Sequence, residues 1–111
     1  MELREEQITG VTALAVRGRV DSTTAPTLGQ KLESVVTIPA SRLVVDFREL
    51  EYISSAGFRV LLVAAKRAEE AGSRLVLCSL SAKVRQLFDL GGFLDLFTIT
   101  ASRDDAIVAA G

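Results

Sequence analysis

Two adjacent hydroxyls, Ser54 and Ser55, stand in the stretch Ile53-Ser54-Ser55-Ala56-Gly57, between an apolar segment and a helix-like one. A serine there can cap the helix by accepting a hydrogen bond from a free backbone N–H. It can also attack an electrophile, provided a base takes its proton and a third group orients that base. The second use finds no support. The chain has no histidine, which removes the commonest general base and the commonest metal ligand together. The stretch lacks the glycine on both sides of serine that marks a nucleophile elbow. No Gly-rich phosphate loop or dinucleotide fingerprint is present, and no Cys/His cluster can hold zinc. Asp21 and Asp46 are isolated acids and make a poor divalent-ion site. The expectation is a non-enzyme with no cofactor and no metal.

The cap is worth roughly 1 kcal/mol. Gly57 strains the pure-cap reading slightly, because glycine in the first turn of a helix costs about 1 kcal/mol against alanine. A glycine there suggests that another molecule comes close to the backbone.

The elements that must position these serines follow from the hydrophobic period. Leu3 to Val20 reads as two strands with a turn at Thr9-Gly10. Ala25, Leu28, Leu32 and Val35 recur at helical spacing, with Pro26 in the first turn and Pro39 closing the segment. "RLVVDF" is short, β-branched and apolar, as a buried strand should be. Phe58, Leu61, Leu62, Ala65 and Ala68 form the next helical stripe, stopped by Gly72. "RLVLCS" is another strand. Ser81 caps a helix carrying Val84, Leu87 and Phe88, which ends at Gly91-Gly92. "FTIT" is a short strand. Ser102 caps a last helix, with Asp104 and Asp105 at its positive end. The order β-β-α-β-α-β-α-β-α implies an α/β fold with about four helices. Its central sheet is mostly parallel, with an antiparallel N-terminal edge strand. In such sheets functional groups gather where strands end and helices begin, and the two serines lie at such a junction.

The 111 residues suit one domain, 1–111, with a core of its own. Lys and Arg number 13 and Asp and Glu 14, a balance that gives no broad attraction to nucleic acid or an acidic membrane. Cys78 lies within an apolar strand and reads as a core thiol. No secretory signal is visible, and the longest apolar run, Val60 to Ala65, is too short to span a bilayer, so the cytoplasm is the expected location.

From Leu43 to Leu62, "LVVDFRELEYISSAGFRVLL" resembles the signature of the STAS domain, the domain of sulphate transporters and anti-sigma factor antagonists. Asp46 matches the aspartate ending the third strand, and Tyr52-Ile53 the aromatic-apolar pair before the motif. Gly57 fixes a register that puts Ser55 on the family's phosphorylated serine. "GRVDSTTAPTL" is similar to the family's glycine-and-aspartate marker, and places Asp21 as the acidic residue near the phosphorylation site. "KVRQLFDLGGFLDLFTI" resembles the third helix and final strand. Three positions depart from the pattern. Ser54 stands where aspartate is common, Ala56 where serine or threonine is, and Phe58-Arg59 where a glycine often follows Gly-Leu. Ser54 therefore stays open as a competing acceptor.

The resemblance implies a partner-switching anti-sigma factor antagonist. Unphosphorylated, such a protein binds an anti-sigma factor that is also a serine kinase, and so frees the sigma factor. Phosphorylation of the serine ends binding, and a phosphatase restores it. Asp21, Ser54, Ser55, Ala56, Gly57, Arg59, Val60 and Val63 are the expected partner-binding residues. For Val60, Val63 and Ala64, packing inside the domain is the equal alternative. The runner-up function is a non-catalytic STAS subunit of a membrane transporter or of a larger signalling complex.

Overall fold

The computed structural model describes residues 1–111. The chain runs β1 (Glu2–Ile8), β2 (Val11–Val20), α1 (Ala25–Val36), β3 (Arg42–Asp46), β4 (Leu50–Ile53), α2 (Ser55–Ala71), β5 (Arg74–Cys78), α3 (Ala82–Leu90), a 3-10 turn (Leu94–Leu96), β6 (Thr98–Thr100) and α4 (Arg103–Ala110). The expected α/β order is present, with the four helices and the antiparallel β1–β2 edge. One element escaped the sequence reading. The residues between "RLVVDF" and the serines are a fourth strand rather than a bare connection.

The main sheet has the order β1-β2-β3-β5-β6 and is parallel beyond the β1–β2 hairpin. β2 is ten residues long and serves two parallel partners in turn. Thr12–Ala15 pairs with β3, and Gly18–Val20 pairs with β4 after a register shift at Gly18/Arg19. That arrangement carries the end of β4, and hence Ser54, alongside the end of β2.

The two sheet faces are unequally covered. α1, α2 and α3 enclose a cluster of 20 buried residues, including Leu14, Leu28, Leu32, Val45, Phe47, Leu61 and Phe88. The opposite face has six, Val11, Val44, Val76 and Cys78 under Ala106 and Ala110 of α4. At about 1.5–3 kcal/mol for each large apolar side chain removed from water, the first face supplies most of the fold's stability. α1 and α2 approach closely because Gly29 has no side chain: a Cβ there would lie 3.1 Å from Val60 Cγ1. Ser81 and Ser102 cap α3 and α4 as expected, and Gly72 ends α2 at φ +67°.

Candidate functional site

The two serines divide the roles between them. Ser54 is extended (φ −89°, ψ 174°) and its hydroxyl accepts a hydrogen bond from the Gly57 N–H at 3.4 Å, so Ser54 is the N-cap of α2. Its own N–H donates to the Val20 carbonyl at 2.9 Å, tying the helix start to the end of β2. Ser55 is the first helical residue, exposed, and its hydroxyl is held by nothing. It stands among the free N–H groups at the positive end of α2.

Gly57 has an internal reason to be glycine, which corrects the expectation of a molecule approaching from outside. It is buried, and a Cβ would come within 2.6 Å of Ile53 Cγ1 and 2.8 Å of Val20 Cγ1. The first turn of α2 sits directly on the ends of β2 and β4.

Phe58 anchors the same turn from the other side. It stacks on Phe93 (centroids 4.3 Å, planes 11° apart) and meets Phe88 edge-on at 4.8 Å. Phe88 in turn meets Phe47 and Phe97. All five phenylalanines of the chain thus join one cluster beneath the site.

Asp21 follows β2 directly, one residue after the carbonyl that binds Ser54. Its carboxylate accepts from the Thr23 N–H (2.9 Å), the Thr24 N–H (3.1 Å) and the Thr24 hydroxyl (3.2 Å). The Thr24 and Thr23 backbone N–H groups, with smaller help from the Thr24 hydroxyl and the Arg19 charge, hold this carboxyl below the ordinary aspartate value. Asp21 therefore stays a fixed negative charge beside the helix start. Arg19 lies over the Tyr52 ring, 4.5 Å from its centroid, pairing β2 with β4 at the surface.

The remaining candidates fall into two groups. Ser55, Arg59 and Val63 are exposed on α2, and Ala56 is half-buried. Val60 is half-buried against α1, and Ala64 fully buried, so the packing alternative holds for these two. Asp46 belongs elsewhere. It pairs in register with Ala15, six residues before Asp21, roughly 20 Å along an extended strand. Its carboxylate, 9% exposed, accepts from the Arg48 N–H at 2.9 Å and from Arg103 Nε at 3.1 Å. It fastens α4 to the sheet and shares no site with Asp21.

A hollow of about 1040 Å³ lies on that α4 side and includes neither of the two serines nor Asp21. Arg17 pairs there with Glu2 and Glu49, and Arg103 with Glu6 and Asp46. Arg4 and Arg48 line the same hollow without an ion pair, and none of Ser54 to Gly57, the stretch that resembles the STAS phosphorylation motif, reaches it.

The sequence carried no signal for the Arg19–Tyr52 pair or for Phe93 under Phe58, since both depend on the placement of β4 and of the 3-10 turn.

The family model described as STAS domain matches residues 2–106. A Bordetella bronchiseptica protein, BtrV, which carries the name of an anti-sigma factor antagonist, is 38% identical over 109 residues, spanning 98% of this chain and 94% of that one. The anti-sigma-B factor antagonist of Listeria monocytogenes is 33% identical over 84 residues, 76% of this chain and 74% of its own. The crystal structure of an anti-sigma factor antagonist from Mycobacterium paratuberculosis superposes with a TM-score of 0.85 at 25% identity, covering 98% of this chain and 92% of that one.

Proposed function

The chain belongs to the STAS domain family, and on that premise we propose that it is an anti-sigma factor antagonist switched by phosphorylation of Ser55. Residues 1–111 act as one binding module. The unmodified form binds an anti-sigma factor with serine-kinase activity, and the sigma factor is released. The kinase transfers a phosphoryl group to Ser55 and lets go, and a phosphatase reverses the step. The cytoplasm is the setting; no helix is long and apolar enough to cross a membrane.

The observation that carries this reading is the state of the two hydroxyls. Ser54 is occupied as a cap and Ser55 is exposed and unengaged, so a kinase reaches Ser55 without dismantling the helix start. The local physics then favours a switch in binding over a switch in shape. A phosphate brings about −1.5 to −2 charge. The free N–H groups and dipole of α2 tolerate an anion there, so the fold survives. A partner covering the same turn would have to bury that charge beside the fixed carboxylate of Asp21, which costs several kcal/mol.

The test is calorimetric titration of wild type, Ser55→Ala and Ser55→Asp against the anti-sigma factor, with thermal melts as the control for folding. Ser55→Ala is expected to bind at near wild-type strength and to resist release by ATP. Ser55→Asp is expected to lose about a hundredfold or more, at 1.4 kcal/mol per tenfold. Equal affinities for Ser55→Asp and wild type, both folded, would reduce Ser55 to a surface residue. Mass spectrometry after incubation with kinase and ATP should find phosphate on Ser55; phosphate on Ser54 alone would refute the assignment. The isolated protein is expected neither to hydrolyse ATP nor to cleave esters.

A further inference from the structure

Arg59 stands one helical turn beyond Ser55. Residues four apart on a helix lie on the same face, one above the other, and both of these are exposed. Arg59 forms no ion pair, whereas Arg17 and Arg103 each form two. No acid competes for it along its own helix: positions 55, 56, 62 and 63 are Ser, Ala, Leu and Val. We propose that Arg59 is the counter-ion, within the same chain, of a phosphate on Ser55, and that the modified site closes on itself through this pair. The proposal rests on Ser55 being the acceptor.

The geometry favours the pair in three ways. An anion placed four residues before a cation is the better order on a helix, because each then sits toward its preferred end of the dipole. Four residues rise about 6 Å along the axis, a span that the long arginine side chain bridges. The planar guanidinium offers two parallel donors to phosphate oxygens, a fit that a point charge lacks. The other charges around the helix start do not replace it. Asp21 is held by Thr23 and Thr24, Arg19 lies over Tyr52, and Glu51 on β4 is an exposed acid. Arg67 and Lys66 on the same helix also form no ion pair, but they lie about two turns further along. Arg59 is the unpaired cation one turn from Ser55, and the glycine that often stands at this place in the family could not supply one.

The consequence is a switch with two parts. Before modification Arg59 is open to an acidic side chain of the anti-sigma factor. Afterwards it is engaged by the phosphate of its own helix. Phosphorylation therefore adds an anion to the surface and withdraws a cation from it in one step.

The test uses full-length protein with phosphoserine installed at position 55 by directed incorporation, so that no kinase is needed. The second ionisation of the phosphate, ordinarily near pH 6, is followed by phosphorus NMR in four backgrounds: wild type, Arg59→Gln, Arg59→Lys and Arg67→Gln. Arg59 favours the dianion, so the midpoint is expected to move to higher pH in Arg59→Gln. It should return most of the way in Arg59→Lys and stay at the wild-type value in Arg67→Gln, two turns further along. The difference should shrink in 1 M salt, where charges are screened beyond about 3 Å. Equal midpoints for wild type and Arg59→Gln would overturn the proposal, as would an equal rise in Arg67→Gln, which would mean a diffuse field. Phosphosite mapping judges the choice of Ser55 separately: phosphate found only on Ser54 in kinase reactions defeats that reading, while the NMR titration decides the role of Arg59.

Discussion

Replacing Gly57 with alanine sets two effects of opposite sign against each other, and the structure says which wins. Alanine is the better helix former by about 1 kcal/mol in a helix interior, and by less in a first turn. Against that, the new methyl would lie 2.6 Å from Ile53 Cγ1 and 2.8 Å from Val20 Cγ1. Neither atom is the free end of a flexible chain, and both residues are buried, Val20 at 0% and Ile53 at 2% exposure. Overpacking of this kind costs about 1–3 kcal/mol. The net expectation is a loss of about 1–2 kcal/mol. For a chain of 111 residues, roughly 4 °C per kcal/mol, the melting temperature should fall by about 4–8 °C. Calorimetric melts and urea titrations of Gly57→Ala measure it directly. The displaced first turn carries Ser55 with it, so phosphorylation by the cognate kinase should slow as well. A melting temperature equal to or above wild type would show that helix propensity outweighs packing here, and the account of Gly57 as a seat on β2 and β4 would be wrong.

Ser54→Ala should cost about 0.5–1 kcal/mol, since its capping bond is long. Ser55→Ala should leave the melting temperature nearly unchanged, and reversed costs in urea titrations would refute the division of roles. Asp46→Ala strips the Arg48 N–H and Arg103 of an acceptor that is 9% exposed and should destabilise by about 1–3 kcal/mol in the same assay. Because the Asp21 pKa is depressed in the fold, its contribution is full above the ordinary value of 3.8 and is lost as pH falls through the lower folded value. Melts between pH 6 and pH 2 should therefore show a shallower acid decline for Asp21→Asn, and identical declines would contradict the Thr23–Thr24 cradle. Burial pushes the Cys78 thiol up, so it should resist alkylation in native buffer and react fully in denaturant; rapid native labelling would mean that α4 does not stay seated.

The helical stripes were legible because each buries large side chains at a 3.6-residue period. Leu28, Leu32, Leu61, Val84 and Phe88 are enclosed where the pattern places them, whereas Leu62, Ala65 and Leu87 of the expected stripes are only half-buried and Ala64, off the expected α2 stripe, is fully buried. The caps at Ser81 and Ser102 were equally plain, since serine before an apolar run has one common use. β4 was hidden because four residues cannot establish a period, and its pairing is fixed by the far half of β2 rather than by its own composition. At the site, the sequence showed the serines, Asp21 and the oddity of Gly57. It could not show which neighbour requires the glycine, because Val20 and Ile53 are brought against it only by the β2–β4 pairing. Nor could two identical residues in a row declare which would cap and which would point outward; that choice rests on a single hydrogen bond to the Gly57 N–H.

That choice sets the tempo of the proposed cycle. One serine asked to be both cap and acceptor would surrender its hydrogen bond at each modification, and the helix start would have to re-form at each reversal. With the cap on Ser54 and the acceptor on Ser55, the backbone has nothing to unlearn. The module would carry no hysteresis: its state at any moment is its present covalent state, with no trace of earlier rounds. The duration of a signal is then set by the enzymes that write and erase the phosphate and by how fast the partner departs, with no slower relaxation of this chain in between.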